Sequence, residues 1–410
     1  DYAIKNNISI KQSELDLKTS DVEKLEAIGG FLPTLNGNAN YSINTGASIN
    51  PVTNQFQNQT FKSFSASANS NIMLFNGLAN WKTLQRSKLN QIANTYRLDK
   101  MKDDIALSIA NSYLQILFNK EQLKVQKNQN LVTKENIKRT QELIEAGSLP
   151  AGDIYELQAT DATQEQQIIS TENALLISKI ALCQTLLLED YVTFDISDEV
   201  IDLPLSNITN ETQEAILAKA KESVKDVKIA LSNVDVAKKD VSISRSSYLP
   251  TLTGFVGYNT RWSESTPFNF ADQLSLFDGT AVGLQLSVPI LNGFATRGRV
   301  QRAKINQERS EIQLKQAELD LERNVYQAYN DVINAKKSFE AAQKTLEARK
   351  QSFNFSKERY EVGLMNSFDF SQSTIAYENA QSEVLRTKYD YIFRTKILEF
   401  YFGIPLIKKQ

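Results

Sequence analysis

The chain has 410 residues, with 46 Lys and Arg against 48 Asp and Glu, for a formal net charge of −2. Such a balance offers no global attraction to nucleic acid or to an anionic lipid surface. The absence of histidine and the single cysteine, Cys183, exclude Ser-His and Cys-His catalysis, histidine metal sites, an intrachain disulfide and Cys-based metal clusters.

In chain order, the sequence opens inside a helical pattern at Asp1-Tyr2-Ala3-Ile4, with helix expected over residues 1–28. No stretch approaches the roughly 18 apolar residues of a membrane-spanning helix. The most apolar segment, Ala174 to Leu188, is interrupted by Ser178, Lys179, Gln184 and Thr185. A strand pair follows over 36–75. Its alternating segments are 38–45 and 64–72, joined by a loop over 46–61 rich in Asn, Ser and Phe. Residues 78–146 hold no Gly or Pro and are rich in strong helix formers, predicting one helix of roughly 100 Å. A helix over 153–189 and an irregular segment over 190–211 complete the first half. The second half repeats the order: helix 212–247, strand pair 252–291 with a connecting loop over 263–279, long helix 295–362, and helix 368–402.

The long helices carry a seven-residue period. In the second, Val325, Val332, Phe339, Leu346, Phe353 and Tyr360 step by seven, and Ala328, Ala335, Ala342, Arg349, Ser356 and Gly363 follow three later. In the first, Ile109, Ile116, Leu123, Asn130, Ile137 and Ile144 do the same, with Ser112, Asn119, Gln126, Thr133, Thr140 and Gly147 as companions. A sustained period of 3.5 residues implies coiled-coil packing. Only the first position of each pair is reliably large. That favours a sheet of helices with a wet second face, as in a hollow tube, over a solid bundle. Asn130 reads as a register device and Cys183 as a small core residue.

The halves match at a nearly constant offset. Asn76-Gly77 recurs as Asn292-Gly293, Lys88 as Lys304, Tyr113 as Tyr329, Gly147 as Gly363 and Asp153 as Asp369, all 216 apart. The chain is a tandem duplication, with repeats over 1–211 and 212–410. The second repeat's first helix extends upstream through Glu214-Ala215-Ile216, without a counterpart in the first, so further residues are expected ahead of Asp1.

The strand segments alternate every second residue. Val282, Leu284, Leu286, Val288 and Ile290 fall on one face, opposite Gly283, Gln285, Ser287 and Pro289. Segments of roughly ten alternating residues mark a membrane β-barrel. Phe31, Phe75, Tyr248, Trp262 and Phe277 gather near strand ends, as at bilayer interfaces. An amphipathic sheet on a soluble core is the alternative, but no leftover helix has the all-apolar face to cover it. Four strands cannot close a barrel, and open edges are not tolerated in lipid, so several chains must share one.

Leu249-Pro250-Thr251-Leu252 ahead of a strand, Phe75-Asn76-Gly77 and Leu291-Asn292-Gly293 after the next, and long helices ending at Gly147 and at Tyr360-Glu361-Val362-Gly363 resemble the TolC family of outer-membrane efflux proteins, across essentially the whole chain. The resemblance implies a mostly α fold with a small β part: long coiled-coil helices forming an α-barrel, and four strands given to a shared trimeric transmembrane β-barrel. It implies a homotrimer in the outer membrane of a Gram-negative bacterium, in contact with its lipid and extending into the periplasm. It implies a periplasmic adaptor and an inner-membrane transporter as partners, with no nucleic acid and no cofactor. Residues 190–211 would form an equatorial region. The main alternative is a non-transporting coiled-coil tether of the cell envelope, which leaves the duplicated strand pairs unexplained.

No residue is singled out for catalysis, cofactor or metal binding, and no enzymatic activity is expected without histidine or a Gly-rich phosphate loop. The resemblance places a periplasmic aperture at Asp153, Tyr360, Asp369 and Gln372, and adaptor-docking turns at Gly147 and Gly363. The family pattern has Arg two residues after the second glycine and a second Asp three after the first; here stand Met365 and Gln372. A Tyr360–Asp153 contact is the latch that remains. Asp153 and Asp369 also fit the first position of a helix capping box, with Glu156 and Gln372 three residues on.

Overall fold

The computed structural model describes residues 2–49, 54–191, 193–197, 208 and 211–404. Most of the proposed equatorial segment 190–211 therefore lies outside the described residues. The elements are α1 (Tyr2–Asn6), α2 (Ile8–Gly29), β1 (Thr34–Ile49), β2 (Phe56–Asn76), α3 (Ala79–Glu145), α4 (Asp153–Leu186), α5 (Gln213–Ser223), α6 (Lys225–Ser246), β3 (Thr251–Ser263), α7 (Phe270–Leu276), β4 (Gly279–Ser287), α8 (Ala295–Glu361) and α9 (Ser367–Tyr401). They divide into two compact units. One comprises Leu15–Thr95 and Ile229–Leu314; the other comprises Asp1–Glu14, Tyr96–Lys228 and Lys315–Gln410.

The first of these units holds a single antiparallel sheet in the order β1-β2-β3-β4, so β1 and β4 are its free edges. Leu252 pairs with Leu286 and Val256 with Val282, which sets one apolar face across β3 and β4. Val282, Leu284 and Leu286 are 74%, 68% and 64% exposed, so nothing among the described residues covers that face. The other face carries Asn36 opposite Asn69 and Asn38 opposite Ser67.

The strands run further than the alternation of large side chains indicates. β1 and β2 extend into the loop expected over 46–61, staying in register from Thr34↔Asn71 to Ile49↔Phe56. Polar cross-strand pairs continue the ladder there, with Ser42–Ser63 at 2.8 Å and Thr45–Thr60 at 3.0 Å. The loop expected over 263–279 contains α7 instead. Its start is capped by Asn269, whose Oδ1 accepts from the Asp272 amide at 2.8 Å. The buried Gln273 side chain donates to the carbonyls of Ser263, Thr266 and Phe268. Phe270 sits against Phe64 and Trp262 with ring centres 5.5 and 5.6 Å away.

In the same unit, α2, α3 and α6 are joined by polar pairs. Asn90 donates to Glu23 at 2.8 Å, Gln91 to Asp21 at 2.6 Å, and Arg86 pairs with Asp240 at 2.5 Å. Gly77 turns β2 into α3 at φ +66°, and a Cβ there would meet the Ser246 carbonyl at 2.6 Å, so only glycine fits.

Both first helices break where unbroken helices were expected over 1–28 and 212–247. The breaks fall at Asn7 and Val224, which are nearly equivalent in the repeats. Asn7 donates to the Thr185 carbonyl at 3.0 Å and accepts from the Ser9 amide at 2.9 Å. Ser223 donates to the Tyr401 carbonyl at 3.2 Å, and Val224 turns extended (φ −72°, ψ 136°) to bury its side chain. A side chain that bonds the backbone nearby competes with the helix ladder.

In this second unit, Ile216, Ala220, Val224, Val325, Ala328, Val332 and Leu398 form the largest apolar cluster. Val325 and Val332 are fully buried, and Phe339 nearly so, stacked on Tyr391 at 6.5 Å. Leu346, one heptad on, is only half-buried. The small or polar +3 companions are buried in the seams as well. Ala328, Ala335, Ala342 and Ser356 are buried on α8, and Asn119, Gln126, Thr133 and Thr140 on α3. The α3 seam is therefore polar. Asn119 donates to the Ala174 carbonyl and to Ser178, and Asn130 to Asp161 at 2.6 Å. Cys183 is buried in α4, and burial pushes its thiol pKa up.

Candidate functional site

The proposed aperture residues gather where α3 turns into α4 and α8 into α9. Each long helix ends in a left-handed glycine, Gly147 at φ +71° and Gly363 at φ +74°. The Gly147 amide bonds the Ile144 carbonyl and the Ser148 amide that of Leu143, while Gly363 bonds Tyr360 and Leu364 bonds Arg359. This is the Schellman closure, which satisfies otherwise orphaned carbonyls and demands positive φ at the glycine. The duplicated Gly seen in the sequence is thus a duplicated turn geometry.

The aspartates do not occupy the capping positions expected of them. Asn366 is the cap of α9: its Oδ1 accepts from the Asp369 amide at 2.8 Å and its Nδ2 donates to Asp369 Oδ2 at 3.0 Å. Asp369 is the third helical residue of that box, where a carboxylate also meets the positive helix end. In the other repeat the cap position of α4 is Gly152, with no side-chain cap, and Asp153 opens the helix. Pro150 stands there at the position equivalent to Asn366, which removes the reciprocal box. Asp369 and Gln372 are exposed and Asp153 is half-buried. Among the described residues no hydrogen bond joins Asp153 to Asp369.

Tyr360 is buried, and its hydroxyl bonds Thr140 Oγ1 at 2.8 Å rather than Asp153. The expected Tyr360–Asp153 latch is replaced because Thr140, fully buried one turn before the end of α3, lies opposite the hydroxyl. Burial pushes the Tyr360 pKa up; the Thr140 bond opposes this and the Asp153 charge adds to it. The Tyr360 ring stacks on Phe370 at 4.6 Å and 4°, and Phe353 stacks on Phe370 and on Tyr377. Leu157 completes this core, with Ile137, Leu149 and Met365 packed around it. Met365, standing where the family pattern has arginine, is an apolar packing residue. A different ion pair spans the two helix ends: Arg139 Nη1 lies 3.0 Å from Glu361 Oε1. Both are partly exposed, so this pair contributes about 0–1 kcal/mol. It was not singled out in the sequence, where nothing marks two charges 222 residues apart as neighbours.

The turns thus present the exposed Asp369 and the half-buried Asp153 close in sequence to a stacked aromatic core. Among the described residues, no three His, Cys, Asp or Glu side chains are grouped to hold a metal ion. No described helix is long and apolar enough to cross a membrane, which leaves the sheet as the element with an uncovered apolar face.

Comparison with known proteins gives the same fold. The chain is 22% identical over 316 residues to the proteases secretion protein PrtF of Dickeya chrysanthemi, covering 76% of this chain and 66% of PrtF. It is 23% identical over 203 residues to the outer membrane protein TolC of Vibrio cholerae serotype O1, covering 49% of this chain and 45% of TolC. The aligned segments thus span between about half and two thirds of these relatives. The structure superposes on the CusC channel with a TM-score of 0.83 at 15% identity, over 98% of this chain and 90% of CusC. The family model for outer membrane efflux proteins matches in two blocks, residues 1–186 and 216–402, which follow the two repeats. Covering nearly all of both halves, that match places this chain in the outer membrane efflux protein family.

Proposed function

We propose that the chain is an export duct of the outer membrane that works as a homotrimer, with the β-sheets of three copies closed into one twelve-stranded barrel. The observation that carries this reading is the open four-stranded sheet, with free edges at β1 and β4 and an uncovered apolar face. Unpaired strand edges do not survive in lipid, so the sheet must close on other copies. Two copies would give eight strands, an interior that side chains fill; three leave a passage. The asparagine- and serine-rich second face suits such a wet interior. Ile305 and Ile312 on α8, and Leu15 and Val22 on α2, are each one heptad apart and exposed, as expected of helices that pack against a neighbouring copy.

In this reading Asp153, Asp369, Tyr360 and Gln372 belong to the periplasmic aperture. Three copies would bring six of the aspartates together and favour cations there. The Gly147 and Gly363 turns would dock a periplasmic adaptor that links the duct to an inner-membrane transporter. Exposed Val362, Leu364 and Phe368 give the second turn an apolar rim for such a contact. No catalytic step is assigned. Native mass measurement and electron-microscopy projections of the detergent-extracted protein test the assembly. Trimeric tubes are expected; a stable, folded, detergent-soluble monomer refutes it. In planar bilayers, Asp369→Asn should lower cation selectivity, and unchanged selectivity would move the constriction elsewhere.

A further inference from the structure

The connection between β3 and β4 takes a course that the sheet does not require. It does not run on as paired strands, as β1 and β2 do; the chain turns back and lays α7 on one face of the sheet. Two contacts identify that face. Phe270 packs on Phe64 and Trp262, and Thr260 Oγ1 donates to the Leu274 carbonyl at 2.7 Å. Thr260 and Trp262 follow Val256 at even steps along β3, and Val256 pairs with Val282. The helix therefore lies on the apolar face that carries Val282, Leu284 and Leu286, not on the face rich in Asn and Ser. Its pose is fixed by the buried Gln273, which accepts from the Ser263 amide at 2.9 Å and donates to three carbonyls of the same loop.

Tyr41, Phe64 and Trp262 form one cross-strand row on that face. The next row towards the loops is charged, with Lys62 and Glu264 paired at 3.1 Å. In the other direction Leu252, ten residues along β3 from Trp262, pairs with Leu286 and continues the apolar face. Ten residues of strand rise about 33 Å. At a barrel's tilt of about 35–45° they cover about 25 Å along the membrane normal, the height of the lipid-facing band of an outer-membrane barrel. The aromatic row thus stands at one rim of that band, where aromatic girdles sit, and α7 is packed onto it.

Phe268, Phe270 and Leu276 are each about half exposed, although the loop that carries them is tightly bonded within itself. Such exposure is unfavourable in water and favourable where headgroups meet acyl chains. We propose that α7 is an interfacial anchor, a short helix folded outward over the rim of the barrel, with Phe268, Phe270 and Leu276 immersed in the headgroup–acyl boundary of the outer leaflet. The inference rests on the reading of the sheet as part of a membrane barrel. Its occupant is lipid rather than a second copy of the chain, because α7 touches β2 and β3 whereas copies would join at β1 and β4. The first repeat runs on here as paired strands to Ile49 and Phe56. Three copies would thus carry three anchors around one barrel, and these would set its depth in the bilayer.

Spin labels on single cysteines test this in the full chain reconstituted into phosphatidylcholine bilayers, with Cys183→Ala removing the native thiol. Collision with oxygen and with a water-soluble nickel chelate reads the depth of each label. Labels at Phe268→Cys and Leu276→Cys should lie about 5–10 Å into the interface. Val282→Cys, six residues below the Trp262 row through its pairing with Val256, should lie near the bilayer centre, and Asn58→Cys should lie in water. Lipid at Val282 with water at Phe268 or Leu276 overturns the anchor and leaves the barrel standing. Water at Val282 overturns the barrel reading and the anchor with it. Labels at Phe268 and Leu276 that neither reagent reaches are covered by protein, which also overturns the anchor.

Discussion

The hydrogen bond between Thr140 and Tyr360 offers the sharpest measure of how the turns are held. Thr140 is fully buried and Tyr360 is 5% exposed, so neither hydroxyl has water to fall back on. Tyr360→Phe keeps the ring and its stack on Phe370, and removes only the hydroxyl at 2.8 Å from Thr140. What remains is a buried Thr140 oxygen without its partner, which costs about 1–3 kcal/mol. Thr140→Val has the mirror effect, stranding the tyrosine hydroxyl. The double substitution removes both polar groups and preserves shape, so it should cost markedly less than the two single changes added together. Hydrogen exchange reads this locally, without requiring reversible unfolding of a membrane protein. The Gly363 and Leu364 amides close the turn onto Tyr360 and Arg359. Their exchange should accelerate by roughly 5- to 150-fold in each single variant, the equivalent of that energy range. In the double variant most of this acceleration should vanish. Singles that exchange like the parent, or a double variant as fast as the product of the singles, would refute the assignment of this bond as the tie between α3 and α8.

Other substitutions probe the remaining structure. Gly363→Ala forces a side chain to φ +74° where no neighbour lies within 4 Å, so its cost is backbone strain alone, about 1–2 kcal/mol, and Gly363→Asn should lose less in the same thermal or exchange assay. Phe339→Asp places a charge at a position 6% exposed, in place of the ring stacked on Tyr391, and should cost about 3–5 kcal/mol; a wild-type yield of assembled protein would show the heptad phase misread. Glu378 titrates above its ordinary value of 4.5 because it is buried. The native state then holds that proton more tightly than the unfolded chain. The resulting stability is complete below pH 4.5 and is lost as pH rises through the raised value. Glu378→Gln should accordingly be more stable than the parent at pH 7 and gain nothing at pH 4, as measured by thermal unfolding; equal stabilities at pH 7 would contradict the desolvation of this carboxylate.

Much of the architecture is legible because the chain states it twice. The long helices predicted over 78–146 and 295–362 became α3 and α8 to within a residue at either end, since strong formers and a sustained heptad leave no competing local structure. Positive-φ residues recur at the same offset, as at Gly147 and Gly363 or Leu78 and Phe294, so the repeat extends to the backbone itself. What escaped is tertiary in origin. The break at Val224 carries no Gly or Pro; it exists because the side chain finds a core and Ser223 finds the Tyr401 carbonyl. The α7 turn hides in a loop because seven residues show too little periodicity to recognise. The cap at Asn366 was overlooked because Asp369 three residues on looks equally like a cap. The proposed aperture residues rest on the family resemblance, and no local signal reveals the contacts made near them: Thr140, the partner of Tyr360, and Glu361, the partner of Arg139, lie more than 200 residues away in sequence.

The strands differ in length: 16 residues in β1, 21 in β2, 13 in β3 and 9 in β4. In the proposed trimer, β4 of one copy would join β1 of the next, so the shortest strand would limit each seam. Nine residues is about the least that spans a hydrocarbon layer at a barrel's tilt. The thickness of bilayer that can be sealed is thus fixed by β4 rather than by the average strand, and suits the thinner-than-average bacterial outer membrane. The excess length has a different fate. Past Lys62, whose carbonyl still accepts from the Glu264 amide, the paired segments Asn44–Ile49 and Phe56–Phe61 extend beyond the end of β3. They form a two-stranded tongue studded with Asn44, Thr45, Asn58 and Thr60, too polar for lipid and too narrow to be stable alone. Three such tongues at the mouth would make a pliant fringe above a stiff collar. Shortening the hairpin would trim the fringe and leave the collar sealed, whereas removing a single residue pair from β4 would thin the collar itself.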